Sequence, residues 1–226
     1  MLYASVDIET TGLDENKHQV LSIGAIIEDT NLTFKQDFNS IPKFYGVILR
    51  HEISGSPRAL SMNKDLIEMI GAYMEGTSEV KRIMEQRYGK IFYTEDQIIP
   101  ELYRFLYRNN MGQSLTTTER LAPLDLIDGV YYPQINGKTK PITINVAGKN
   151  FGTFDKVFLD KLPWFQKLIN VRQRILDPAI LCVDWLHDDA LPNLTECKKR
   201  VGVEGIVTHN ALDDAWDVIE ILRKKY

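Results

Sequence analysis

Apolar positions along this chain fall into three successive patterns. Leu2-Tyr-Ala-Ser-Val6 and Val20-Leu-Ser-Ile-Gly-Ala-Ile-Ile27 are nearly continuous apolar runs, the pattern of strands buried on both faces. Thr33 to Phe38 alternates and reads as a third strand, reached through the turn-forming Asp29-Thr-Asn31, so an antiparallel meander is predicted at the N-terminus. From Leu60 to Asn109 the spacing becomes helical and predicts helices over 64–73, 79–88 and 95–109. Periodicity then lapses between Gly112 and Pro141, where Tyr131-Tyr-Pro133 and Asn136-Gly137 suggest a loop or hairpin insertion. Ile142-Thr-Ile-Asn-Val-Ala147 resumes as a strand and runs through Gly148-Lys-Asn-Phe-Gly152 into a helix starting near Thr153, a βα unit. Beyond it come a short strand over 174–177, a helix opened by Pro178, a helix capped by Asn193, and a last helix over 211–224. The expectation is an α/β fold in one domain, residues 1–226: a mixed sheet, antiparallel meander first and parallel strands after, flanked by α-helices.

Two acids stand out against this background. Asp7 and Glu9 end the first apolar run, and residues two apart on a strand share a face, so both carboxylates point the same way before Thr10-Thr-Gly12 turns the chain. Such a pair repels unless a cation lies between, and hard oxygen donors suit Mg²⁺ or Mn²⁺. A helical wheel over 154–162 places Asp155 inside the arc of Phe154, Val157, Phe158, Leu159 and Leu162, with Asp160 opposite. It lies just past a strand's C-terminal end, where open α/β sheets gather their ligands. In the last helix Ala211, Ala215, Val218 and Leu222 form the packed stripe; Asp214 falls on it, whereas Asp213, Asp217 and Glu220 fall on the outer face. The helix dipole alone would favour an acid in either first turn, but it does not explain why these two face inward while their neighbours face out. His209 sits in the loop entering the last helix, five residues before Asp214, where a mobile side chain can carry a proton to or from a metal site. His18, His51 and His187 have no comparable company.

Composition adds bounds. The 226 residues are 44% apolar, enough for a substantial core, and 27 basic against 31 acidic residues give a net charge of −4. No overall positive field advertises a polyanionic partner, although clustered carboxylates lower the net charge and a local patch such as Lys198-Lys-Arg200 still offers cations to phosphates. Cys182 and Cys197 lack metal-ligand spacing and read as reduced core thiols. There is no basic segment followed by an apolar run at the N-terminus, and no stretch approaches the roughly 20 apolar residues of a membrane helix, so the expectation is a soluble, cytoplasmic protein with no membrane partner.

Asp7-x-Glu9 on a first strand, Asp155 after a central strand, and His209 five residues before Asp214 together resemble the DEDD exonuclease superfamily in its DEDDh, DnaQ-like branch, across nearly the whole chain. The resemblance implies a ribonuclease H-like fold and a metal-dependent 3′→5′ exonuclease that releases nucleoside monophosphates from 3′ ends of single-stranded DNA or RNA. It implies two Mg²⁺ (or Mn²⁺) ions, with Asp7 bridging both, Glu9 and Asp214 completing one, Asp155 holding the other, and His209 as general base. Thr10, Thr11, Gly12 and Leu13 would contact the terminal nucleotide, Pro57-Arg-Ala-Leu-Ser-Met62-Asn63 would wall the same pocket, and Asn150 matches the asparagine many relatives carry before the second motif. Those relatives have histidine before that asparagine; this chain has Lys149, a cation that could lie near a phosphate. Proofreading members act beside a polymerase in trans and some relatives are homodimers, so both are possible partners by resemblance. Two other functions compete: hydrolysis of short oligonucleotides or small nucleotides, and a noncatalytic nucleic-acid-associated module. The second leaves mutually repelling acids without purpose.

Overall fold

The computed structural model describes residues 1–111 and 141–226, and between them the backbone of the strands 124–127, 130–135 and 138–139. The strands are β1 (Leu2–Thr10), β2 (Val20–Asp29), β3 (Lys43–Ile48), β4 (Phe92–Tyr93), β5 (Leu124–Ile127), β6 (Val130–Ile135), β7 (Lys138–Thr139), β8 (Ile142–Ile144), β9 (Val146–Ala147) and β10 (Ile169–Val171). The helices are α1 (Pro57–Met62), α2 (Lys64–Glu75), α3 (Ser78–Tyr88), α4 (Glu95–Arg108), α5 (Asp155–Leu159), α6 (Phe165–Leu168), α7 (Ala179–Cys182), α8 (Leu194–Val201) and α9 (Ala211–Arg223).

The main sheet has the order β4-β3-β2-β1-β9. β1, β2 and β3 form the antiparallel meander, while β4 joins β3 and β9 joins β1 in parallel. This is a mixed α/β sheet flanked by helices, the ribonuclease H-like class. Side chains of β1 alternate between two cores: Ala4, Val6 and Ile8 pack with Ile98, Leu102 and Leu106 of α4, whereas Tyr3 packs with Ala215 and Val218 of α9. Ser5, on the α9 side, donates its hydroxyl to the Ala215 carbonyl at 2.7 Å. By the same two-residue period Asp7 and Glu9 face α9.

Four sequence expectations are corrected. Residues 33–38 form no strand: Phe34 is exposed, and Asp37 Oδ1 accepts the Ser40 amide and hydroxyl, turning the chain before β3 starts at Lys43. The third strand of the meander is therefore 43–48. The run 142–147 is two strands, because β8 pairs with β10 while β9 pairs with β1, and Asn145 marks the break by donating Nδ2 to the Leu2 carbonyl. Residues 174–177 supply only a bridge from Leu176 to Ala147; the strand of that region is β10. Asp217 is buried rather than outward. Pro57 at the first helical position and Ser56 at the cap build α1, a short helix outside the predicted set. The insertion expected over 112–141 lies largely outside the described residues; within it β5, β6 and β7 pair antiparallel.

Candidate active site

Three local features bring the acids together. β1 pairs regularly with β2 up to Glu9 and then shifts register before Thr10, so the strand ends with its two carboxylates at the sheet edge. Opposite Asp7 on β2 stands Gly24, where a Cβ would lie 2.3 Å from the backbone carbon and oxygen of Ala211. Only a bare backbone there lets the start of α9 lie on the sheet. Asn210 caps α9 by accepting from the amides of Leu212 and Asp213, which places Asp214 in the first turn, above β1. Asp155 opens α5 from the other side, and its Oδ1 accepts the Ile8 amide at 3.1 Å.

One oxygen from each of Asp7, Glu9 and Asp214 lies within 4.8 Å of the others. Asp155 is 2% exposed and adds its negative charge to the field at Asp7. Among the described residues no lysine or arginine forms a salt bridge with any of the four, and the buried Oδ1 of Asp214 has no hydrogen-bond partner. Burial pushes the Asp7 carboxyl well above the usual carboxylate range, with the charges of Asp155, Asp214 and Glu9 adding to it. Desolvation and Asp214 raise Glu9 to about 8, against an opposing pull from the Asn63 side chain. Asp155 rises to about 7 through burial, and Asp214 to about 7 through burial and then the charge of Asp217. Folding has enclosed like charges side by side. An unpartnered buried carboxylate oxygen and an all-oxygen donor set fit a hard divalent cation of the Mg²⁺ or Mn²⁺ kind.

These acids open on a cleft of about 470 Å³. Asp7, Glu9, Asp214 and His209 line it, together with Thr10, Gly12, Leu13, Met62 and Asn63. His209 is exposed and adopts φ 54°, a left-handed conformation in which histidine is one of the better tolerated residues. Thr11 is fully buried beneath the turn, where its Oγ1 accepts the Gln19 amide at 2.9 Å. Asn150 stands off the cleft wall; its amide donates to Asp177 and its Oδ1 accepts from Lys149 Nζ at 2.7 Å. Lys149 thus turns toward Asn150 and Asp177, not toward the cleft. Lys198, read from sequence as part of a basic patch, is buried against Asp217.

Ser56, Arg58, Ala59 and Phe154 also line the cleft. Arg58 is exposed there, and its signal in the sequence was its place within the 57–63 wall. Nothing in the sequence distinguishes Phe154 as a cleft residue rather than core, since its ring also packs 5.1 Å from that of Phe158. The arrangement offers a focused negative donor set, an imidazole at the rim, the exposed Arg58 guanidinium, and apolar side chains along the wall. Among the described residues no helix is long and apolar enough to cross a membrane.

No protein-family model matches the chain, and no curated protein sequence matches it. Solved structures do. E. coli exonuclease I in complex with a dT13 oligonucleotide is similar at TM-score 0.55 and 14% identity, over 99% of this chain and 40% of that chain. The same enzyme in complex with a dA16 oligonucleotide gives TM-score 0.52 and 14% identity, over 99% and 40%. A moderately thermophilic exonuclease I from Methylocaldum szegediense gives TM-score 0.54 and 13% identity, again over 99% and 40%. This chain spans about 40% of the length of these proteins and shares their fold over nearly all of its own.

Proposed function

We propose that the chain is a metal-dependent 3′→5′ exonuclease that releases nucleoside monophosphates from single-stranded DNA or RNA. The observation that carries this reading is the cluster of Asp7, Glu9 and Asp214 within 4.8 Å, beside His209 on one cleft, with Asp155 buried against β1 behind it and no salt bridge to any of the four among the described residues. The fold shared with exonuclease I structures solved with dT13 and dA16 supports the same class of polymer.

Asp7, Glu9, Asp155 and Asp214 would hold two Mg²⁺ or Mn²⁺ ions. When bound, such ions supply charge neutralisation for the phosphodiester and make an attacking water more acidic. The chain's own residues do the rest. The carboxylates fix where positive charge sits, because each is anchored to rigid backbone: β1 for two, α5 for one and α9 for one. His209 takes the proton of the attacking water at a ring nitrogen as the water adds to phosphorus and the bond to the 3′ oxygen breaks; that oxygen takes a proton from solvent, freeing a 5′-monophosphate, and His209 then returns its proton to solvent. Leu13 and Met62 flank the terminal base, and Asn63 holds the turn by donating Nδ2 to the Thr10 carbonyl at 3.2 Å.

The test is incubation of the protein with 5′-labelled single-stranded DNA and RNA in Mg²⁺, Mn²⁺ or chelator. A ladder shortening from the 3′ end, abolished by chelator, is expected, and His209→Ala should slow it by roughly 10² to 10⁴-fold. No cleavage of either polymer with either metal refutes the reading.

A further inference from the structure

The helix before the His209 loop carries an ion pair that the carboxylate cluster does not require. Lys198 of α8 and Asp217 of α9 are 4% and 7% exposed, and Nζ stands 2.5 Å from Oδ1. A buried pair is a poor device for stability alone, since desolvating two charges offsets most of their attraction and apolar side chains of similar volume pack as well. Its position points to a different role. The chain leaves α8 at Gly202 in a left-handed turn and reaches His209 through an exposed span. Among the described residues, Glu204 to Val207 make no hydrogen bond to the body of the protein. Lys198 lies beneath that span: a Cβ on Gly205, itself at φ 93°, would stand 3.6 Å from Nζ. At the far end the Thr208 hydroxyl donates to Asp213 Oδ2 at 3.2 Å, one residue from the carboxylate site.

We propose that the Lys198–Asp217 pair is a positioning device that seats the 203–209 loop on α9 and thereby sets the His209 imidazole over the carboxylate cleft. The inference rests on the reading of His209 as proton acceptor. Asp217 lies on the helix that carries Asp214, so the pair ties the loop to the helix that supplies the acid. An ammonium held by that aspartate gives the loop a fixed polar floor beneath Glu204 to Val207, which among the described residues make no hydrogen bond. Lys198 and Asp217 touch neither substrate nor ion in this scheme; they act through His209.

The test compares wild type, Lys198→Met and Lys198→Met/Asp217→Leu, by amide hydrogen exchange and by single-strand cleavage kinetics. In both variants the Val203 amide, hydrogen-bonded to the Lys198 carbonyl where the loop leaves α8, should exchange about tenfold faster while those of 218–222 change less than about twofold. Cleavage should show kcat lower by about tenfold with KM within about twofold, and adding Lys198→Met to His209→Ala should change the residual kcat by less than about twofold. The double variant, with both charges gone, should regain the thermal stability lost by the single one yet keep the fast loop and low kcat. Unchanged loop exchange in both variants overturns the proposal. So does faster exchange spread evenly along α9, or an equal loss of kcat with and without His209. A wild type that cleaves no polymer ends the nuclease reading, and the exchange comparison then decides the positioning role by itself.

Discussion

Stripping divalent metal from this protein should make it less stable as the pH rises, the reverse of ordinary acid denaturation. The cause is the enclosed acids. A carboxyl whose folded pKa is raised binds its proton more tightly in the native than in the unfolded chain, so the stability it contributes is complete below the unfolded value and is lost as pH climbs through the folded one. For Glu9 that window runs from 4.5 to about 8. At 1.36 kcal/mol per unit, full ionisation of Glu9 costs up to roughly 5 kcal/mol. Asp155 and Asp214, each raised to about 7, act over the same range, and because the charges share one field their contributions do not simply add. For a chain of this size 1 kcal/mol moves Tm by about 2–4 °C, so the metal-free protein should lose roughly 10–20 °C between pH 5 and pH 8. The assay is thermal denaturation in chelator across that range, beside a Glu9→Gln/Asp214→Asn variant, followed by titration with Mn²⁺. Wild type should fall below the variant as pH rises and recover with Mn²⁺, whereas the variant should respond weakly to both. A metal-free wild type whose Tm tracks that of the variant from pH 5 to pH 8 would refute the enclosed-charge account.

Two further outcomes follow from the geometry. Asp214→Asn should reduce cleavage by about 10²-fold or more, while Asp213→Asn, which loses only the Thr208 contact, should stay within about fivefold; equal losses in steady-state rate would show that the inward and outward assignments are wrong. Gly24→Ala should destabilise the fold by about 1–3 kcal/mol in urea denaturation and suppress the Tm rise with Mn²⁺, because the added methyl meets the Ala211 backbone at 2.3 Å; a variant with wild-type stability and metal response would contradict the close approach.

Period was enough to read β1, β2, α2, α3, α4 and α9, while the Asn193 cap marked α8. It failed where local turn chemistry competes with alternation. Thr33 to Phe38 alternates like a strand, but Asp37 captures Ser40 and the next strand takes its place. It failed again at β10, three residues whose status depends on pairing with a strand far away in sequence. The inward acids were legible because an acid on an apolar arc has few explanations, and Asp155 and Asp214 are both buried. Asp217 shows the limit of the same wheel. Its arc faces solvent only if nothing else packs there, and the lysine of α8 that covers it is invisible to a single-helix projection. Cleft residues such as Arg58 and Phe154 depend on how α1 and α5 approach β1, and no one-dimensional spacing encodes that approach.

The close passage of α9 over Gly24 also sets a clock on the protein's birth. Asp7 and Glu9 leave the ribosome first among the site residues, Asp155 much later, and His209 and Asp214 last among them. At 5–20 residues per second, roughly 10–40 s separate the first acid from the last. Through that interval the nascent sheet holds an incomplete donor set, and the gap over Gly24 stays open until α9 settles into it. The four-acid centre is thus completed only when α9 docks on the sheet.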